Sequence, residues 1–383
     1  MISFKPKLTG TFLVLLIVLI IACKKTKDND PADALSDFLN LPDAAFNYNP
    51  ITPPYLNTPN IQGQINTSQN NPVTDWGATL GRVLFYDKNL SLNKTISCAS
   101  CHKQANGFSD PATKSAGFNG GLTGRHSMSL VNAKYYPNGR FFWDQRANTL
   151  EQQTLIPIQD MVEMGMTLPE LQSRLQSLPY YPILFSKAFG NDAINSTRIS
   201  QALSQFVRSI VSYQSKYDAG RQAFPPGPPP PNVIFSNFSA AENRGKELFL
   251  STAGCAPCHG SETFTAPLEK NNGIDLINTD RGFGLITGNP AMDGHFKVGS
   301  LRNIEMTAPY MHDGRFNTLE QVIDHYSDGV KSNPNLSPQL RLPNGAPRNL
   351  NLSPGDKAAI VAFLKTLTDA TLATDVRFSN PFK

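Results

Sequence analysis

The sequence predicts a mainly α-helical protein of two units, with long loops and little strand. Three observations carry that expectation. Helix-start signals recur along the chain, whereas alternating apolar and polar runs are sparse. A proline run, Phe224-Pro-Pro-Gly-Pro-Pro-Pro-Pro231, divides the chain; such a run cannot continue a helix and favours stiff, extended backbone. One short cysteine motif also occurs once on each side of that divide. At 383 residues the chain is long enough for two domains of ordinary size.

The N-terminus reads as an address. Lys5 and Lys7 form a positive region ahead of an apolar run from Thr11 to Ile21. That run falls well below the ~20 residues of a membrane-spanning helix. It ends in Ile20-Ile21-Ala22-Cys23, which resembles a bacterial lipobox. Residues 1–22 are therefore read as a lipoprotein signal peptide, with cleavage before Cys23 and lipid on Cys23. Residues 23–75, rich in Pro, Asn and Thr, are read as a tether and irregular N-terminal segment. The mature chain is expected in the bacterial cell envelope, exported to the periplasm and held to the membrane by its acyl chains. With Lys5 and Lys7 set aside, 32 of the 34 basic residues face 30 acidic ones. That balance argues against a nucleic-acid partner, which needs concentrated basic charge.

Residues 76–224 form the first expected domain. A helix over Trp76–Tyr86 leads toward its cysteine motif, and its last helix is expected over Thr197–Tyr217. Residues 225–231 are the link, and 232–383 the second domain. There Ser239 and Glu242 fit a capping box, so a helix should start at that point and run toward Cys255. Near the C-terminus Ser353 is placed to cap a helix with Pro354 at its first position. Its Ile360, Phe363, Leu364 and Leu367 make one apolar stripe.

The chain has five cysteines. Cys23 is assigned to lipid, and the others lie in Cys98-Ala-Ser-Cys101-His102 and Cys255-Ala-Pro-Cys258-His259. None is left over for a disulfide. In a CxxCH motif two thiols on one helical turn add to the vinyl groups of haem, and the following His supplies the proximal nitrogen to iron. A zinc site would instead gather four ligands. Two copies in an exported chain predict two covalently bound c-type haems, on His102 and His259. The fold expected is thus two c-type cytochrome-like haem domains.

Further motifs lie between and after these two. They are Phe142-Trp143-Asp-Gln-Arg146-Ala-Asn-Thr-Leu-Glu-Gln-Gln153, then Pro157 and Glu163-Met164-Gly165. In the second half Leu301-Arg302-Asn303 precedes Thr307-Ala-Pro309-Tyr-Met-His312-Asp-Gly314. Over roughly residues 76–368 the chain resembles the bacterial di-haem cytochrome c peroxidase and MauG superfamily. The resemblance implies that the haem on His102 is the peroxide-reactive one and that the haem on His259 receives and passes on electrons. It implies Trp143 as the relay between them, with Gln153 and Glu163 over the open face of the first haem. A carboxylate suits that place because one group must act as base and then as acid within a turnover.

Three departures from the peroxidase pattern follow. Where many relatives carry a second His on the first haem, this chain has Phe118, and the nearest His is His126. A five-coordinate first haem is therefore expected. Where peroxidases place a distal Met on the second haem, this chain has Tyr326, as MauG-like proteins do. An anionic Tyr ligand favours ferric or higher states. Met306, Met311, His312 and His325 are rival ligands, and a core Tyr on an amphipathic helix with Leu319, Val322 and Ile323 is the plain alternative. Family members also bind one calcium ion through carbonyls, matched here by Thr307 and Pro309, and an Asn side chain. His126 stands at the Asn position, and calcium prefers oxygen, which weakens the case for the ion.

The function expected first is a cytochrome c peroxidase, reducing hydrogen peroxide with electrons from a small exported cytochrome or similar donor. The alternatives are a MauG-like oxidase of a protein or organic substrate, and a non-enzymatic di-haem electron carrier. Glu163 and Gln153 argue against the carrier, which needs no acid–base pair over an open iron.

Overall fold

In a computed structural model the described residues are 1–4, 31–227 and 229–383. The apolar leader, Lys5, Lys7 and Cys23 lie outside them. Among the described residues the chain is helical, and strand pairing is limited to isolated bridges. Two apolar cores organise it.

The first core is built on α1 (Asp75–Tyr86), the short α2 (Cys98–Cys101), α3 (Leu150–Gln159) and α4 (Ser196–Ser209). Thr74 caps α1 by accepting from the Gly77 amide, which satisfies a donor that the helix start leaves unpaired. The single helix expected over Thr197–Tyr217 is not formed. Helix α4 ends at Ser209, and a separate α5 (Lys216–Arg221) starts at a capping box between Ser215 and Asp218. The break is held by tertiary bonds: the Ser212 amide donates to Asn132 Oδ1, and its hydroxyl to Asn303 Oδ1.

Tyr217 on α5 already belongs to the second core, although it lies before the proline run. That core adds α6 (Ala240–Leu250), α7 (Ala256–His259), α8 (Leu319–Asp324) and α9 (Pro354–Lys365). The Ser239–Glu242 capping box and the Ser353 cap with Pro354 at the first position both form as the sequence predicts. The last residues return to the first core. Leu372 and Phe378 are buried there, and the Arg82 guanidinium donates to the carbonyls of Val376 and Arg377.

The two cores are variations on one plan. In the first, α1 crosses α4 where a Cβ on Gly81 would come within 2.0 Å of the Ala202 carbonyl oxygen. In the second, α6 crosses α9 where a Cβ on Gly245 would come within 1.9 Å of the Ala359 oxygen. Only glycine permits either approach. Next to each crossing, Phe85 lies 6.1 Å from Phe108 and 5.1 Å from Phe206 between ring centroids. Phe249 lies 6.1 Å from Phe264 and 5.2 Å from Phe363. All six rings are buried, and each such side chain contributes about 1.5–3 kcal/mol by leaving water.

The repeat extends further. Asn148-Thr-Leu-Glu-Gln152 and Asn317-Thr-Leu-Glu-Gln321 are identical, and Thr149 and Thr318 cap α3 and α8 in the same way. Counted from these caps, Trp143 corresponds to His312 and Pro157 to Tyr326. Ser129-Leu-Val-Asn132 likewise matches Ser300-Leu-Arg-Asn303, and both Asn residues adopt left-handed backbone. The two halves meet through this matched region. The His126 amide donates to the His312 carbonyl, and the Lys297 amide donates to the Trp143 carbonyl.

Candidate haem sites and the cavity between them

Each CxxCH motif forms one short turn that presents its thiols on one side. All four cysteines are unpaired, and burial raises the thiol pKa values, to about 12 for Cys98 and Cys255. The His that follows is oriented identically in both lobes. His102 Nδ1 lies 3.0 Å from the Phe108 carbonyl oxygen, and His259 Nδ1 lies 3.1 Å from that of Phe264. Both Phe residues have positive φ, 56° and 52°, an uncommon backbone for a bulky side chain. That turn aims the carbonyl at the imidazole. A carbonyl accepting from Nδ1–H fixes the tautomer that leaves Nε2 as the metal-facing nitrogen. The pattern suits haem iron, and burial lowers both imidazole pKa values, which favours the neutral rings that such a metal would need.

A cavity of about 490 Å³ opens over His102. Cys98, Cys101 and His102 line it together with Trp143, Gln153, Pro157 and Glu163, so the expected first-site residues share one space. Apolar walls come from Phe85, Leu130, Leu150 and Val207, among others. This combination of free thiols, a neutral oriented imidazole and an apolar chamber fits a haem. Glu163 reaches the cavity from a turn after α3. The Asp160 carboxylate accepts from the amides of Val162 and Glu163, and the Glu163 carbonyl accepts from the Phe118 amide. Burial, with the Asp160 charge nearby, pushes the Glu163 carboxyl up to about 7, while Arg146 opposes the shift. Phe118 is buried beside Gly165, not in the chamber wall. His126 does line the chamber, but its ring is committed: Nε2 lies 3.1 Å from Ser109 Oγ and Nδ1 3.2 Å from the Ala112 carbonyl oxygen.

Trp143 stands at the lobe boundary. Its indole N–H donates to the His126 carbonyl at 2.8 Å. Its ring meets His312 edge-on at 6.5 Å, and His312 stacks on Phe296 at 3.8 Å. That stacking fixes the ring plane of His312, one of the rival ligands for the second iron. His325 is another, and its Nε2 is held 3.1 Å from the Asn272 carbonyl oxygen. Tyr326 faces the Cys255–Cys258 side, and burial pushes its hydroxyl up to about 12, with the Asn272 amide opposing the shift. Asn272 Nδ2 lies 3.4 Å from both Tyr326 Oη and Met311 Sδ. The expected α-helical stripe through Tyr326 breaks at Asp324: α8 widens into a π-helical turn, His325–Gly329. Such turns often re-aim a functional side chain. In the first lobe the matching position is Pro157, whose side chain has no donor atom to offer a metal.

Thr307 and Pro309 lie in the loop before His312, and the Thr307 hydroxyl donates to the Ile304 carbonyl. Sequence reasoning missed several groups that shape the sites. They are the two carbonyls at Phe108 and Phe264, Asn272, Lys297 in the first chamber wall, and Arg125, which binds Asp144 and Asp280 from the two lobes. The repeated Phe after each CxxCH and the duplicated Asn-Thr-Leu-Glu-Gln were available signals for part of this.

The chain is similar to several known proteins. The family model described as di-haem cytochrome c peroxidase matches residues 76–223. The methylamine utilization protein MauG of Methylorubrum extorquens is 35% identical over 300 residues, covering 78% of this chain and 79% of that protein. Cytochrome c551 peroxidase of Nitrosomonas europaea is 32% identical, covering 76% and 79%. The crystal structure of a MauG-like protein associated with microbial copper homeostasis superposes with a TM-score of 0.73 at 32% identity, covering 83% of this chain and 96% of that one. The chain belongs to the di-haem cytochrome c peroxidase and MauG family, and is a haem peroxidase enzyme with two haem cofactors.

Proposed function

We propose that this is an exported, lipid-anchored peroxidase that reduces hydrogen peroxide to two waters. Two electrons come from a small exported cytochrome or similar donor, and two protons are taken up. Thioether bonds to Cys98 and Cys101, and to Cys255 and Cys258, would hold the haems. Acylation of Cys23 would hold the chain to the membrane in the periplasm. The observation that carries the reading is the first chamber, where Glu163 and Gln153 face the same space as His102. Of the two imidazoles described on that chamber, His102 would hold the iron, and His126 lies with its ring nitrogens against Ser109 Oγ and the Ala112 carbonyl oxygen.

The haem on His102 would supply the iron chemistry that cleaves the peroxide O–O bond. Glu163 takes the proton of incoming peroxide as base and returns it to the departing oxygen as acid. A carboxyl held near 7 suits both halves of that task near neutral pH. Gln153 offers an amide to orient the peroxide. Trp143, bonded to His126 and edge-on to His312, is placed to carry electrons between the lobes.

A second reading, a MauG-like oxidase that draws electrons from a protein or organic substrate, is favoured by Tyr326. Peroxide consumption with reduced cytochrome c, set against turnover with no added reductant, separates the two. Consumption only with the cytochrome supports the peroxidase. Turnover that proceeds by oxidising a partner without it overturns that role. The oxidised protein should show one high-spin and one low-spin centre by electron paramagnetic resonance, and two low-spin centres would exclude an open first site.

The Tyr326→Met variant should raise the reduction potential of the His259 haem, since a thioether favours reduced iron where a phenolate favours oxidised iron. Spectroelectrochemical titration reads this directly. An unchanged potential and spectrum would remove Tyr326 from the coordination sphere.

A further inference from the structure

We propose that Lys297 seats a carboxylate of the haem on His102, so that the second lobe supplies the counter-charge for the first lobe's cofactor. The proposal rests on the reading that His102 carries haem. Lys297 is only 8% exposed and lines the first chamber. Its Nζ sits 3.7 Å from the Tyr136 ring centroid and 4.4 Å from that of Phe141. Among the described residues the ammonium makes one hydrogen bond, a long one of 3.3 Å to the Arg140 carbonyl oxygen. Among the described residues no carboxylate lies within ion-pair distance of it.

A buried ammonium without a counter-charge is costly, and two aromatic faces and one carbonyl only partly offset that cost. Burial alone depresses its pKa to about 7. The other cations of the chamber are satisfied: Arg125 binds Asp144 and Asp280, and Arg146 binds Asp144. The position matching Lys297 in the first lobe is His126, whose ring is fully engaged. Arg140, whose carbonyl accepts from the Lys297 ammonium, has a buried Nε with no hydrogen-bond partner among the described residues. An under-satisfied ammonium on this wall calls for an anion, and a haem would bring two carboxylates into this chamber. Because the Lys297 amide is bonded to the Trp143 carbonyl, the seat is tied to the segment that joins the lobes.

A cation close to a haem stabilises its reduced state, so removing the charge should lower the potential of that haem alone. The test uses the haem-loaded protein and its Lys297→Met and Lys297→Arg variants. Pyridine haemochrome assay counts haems, and spectroelectrochemistry reads both potentials. Lys297→Met should keep two haems, lower the midpoint of the His102 haem and leave the His259 haem unchanged. Lys297→Arg should restore most of the shift. Two retained haems with an unmoved potential would overturn the proposal. Should Lys297→Met lose haem, the resonance Raman propionate-bending band of the unmodified protein decides. A shift between H2O and D2O is expected for a carboxylate bonded to an exchangeable ammonium, and its absence overturns the proposal. Fewer than two haems in the unmodified protein would instead refute the underlying reading of the site.

Discussion

Replacing Glu163 by glutamine is expected to lower peroxide turnover by about 10²–10⁴-fold, the usual contribution of one positioned acid–base group. Both haems should remain attached. Glutamine keeps the size and hydrogen-bonding reach of the side chain but cannot take up a proton, so the loss should appear in kcat more than in KM. The pH profile gives a second signature. Burial, reinforced by Asp160, raises the Glu163 pKa to about 7. The base form is the anion, so kcat/KM should climb as pH rises through about 7 and level off above it. In Glu163→Gln that inflection should vanish. A variant that keeps the inflection, or loses less than about tenfold, would move the proton transfer to another group, and Asp160 on the same chamber wall is the next candidate.

How much of this could be read before the fold was seen depends on how local each feature is. The caps at Ser239 and Ser353 are written within a few residues, and they form where expected. The CxxCH turns are equally local. The family resemblance groups Trp143, Gln153 and Glu163 through their motif context, and all three line one cavity. Other features depend on contacts that linear sequence does not display. The helix expected to reach Tyr217 stops at Ser209 because Ser212 is bound by Asn132 and Asn303, one from each half. Periodicity carries no sign of such a partner. Nothing in the linear sequence marks Lys297, whose ammonium the fold sets against the Tyr136 and Phe141 rings. The inequality of the two sites sits between these extremes. Once the two Asn-Thr-Leu-Glu-Gln segments are superimposed, Pro157 and Tyr326 fall in register, and one lobe lacks the side-chain hydroxyl that the other presents.

A buried ion pair joins α5 to the loop that enters the second site. Asp218 and Arg302 are both fully buried. Arg302 NH1 donates to both Asp218 oxygens at 2.8 and 3.0 Å, while its Nε and NH2 donate to the Glu262 carbonyl. Asp218 also accepts from the Tyr55 hydroxyl and from the amide and hydroxyl of Ser215. It thereby ties the N-terminal segment, α5 and the loop entering the second site. Asp218→Ala leaves a guanidinium buried with no counter-charge, and breaking such a pair costs about 3–5 kcal/mol. The expected result is a lower urea midpoint with an unchanged slope. Replacing both partners with apolar residues, as in Asp218→Leu with Arg302→Met, should cost far less, because no orphaned charge remains. If the double variant is as unstable as the single, packing around α5 and not charge holds this junction. Asn303 follows Arg302 directly and bonds Ser212 across the break after α4. Loosening the pair should therefore also disturb the seating of the halves at Trp143 and His312, so that electron exchange between the haems slows in the fraction that remains folded.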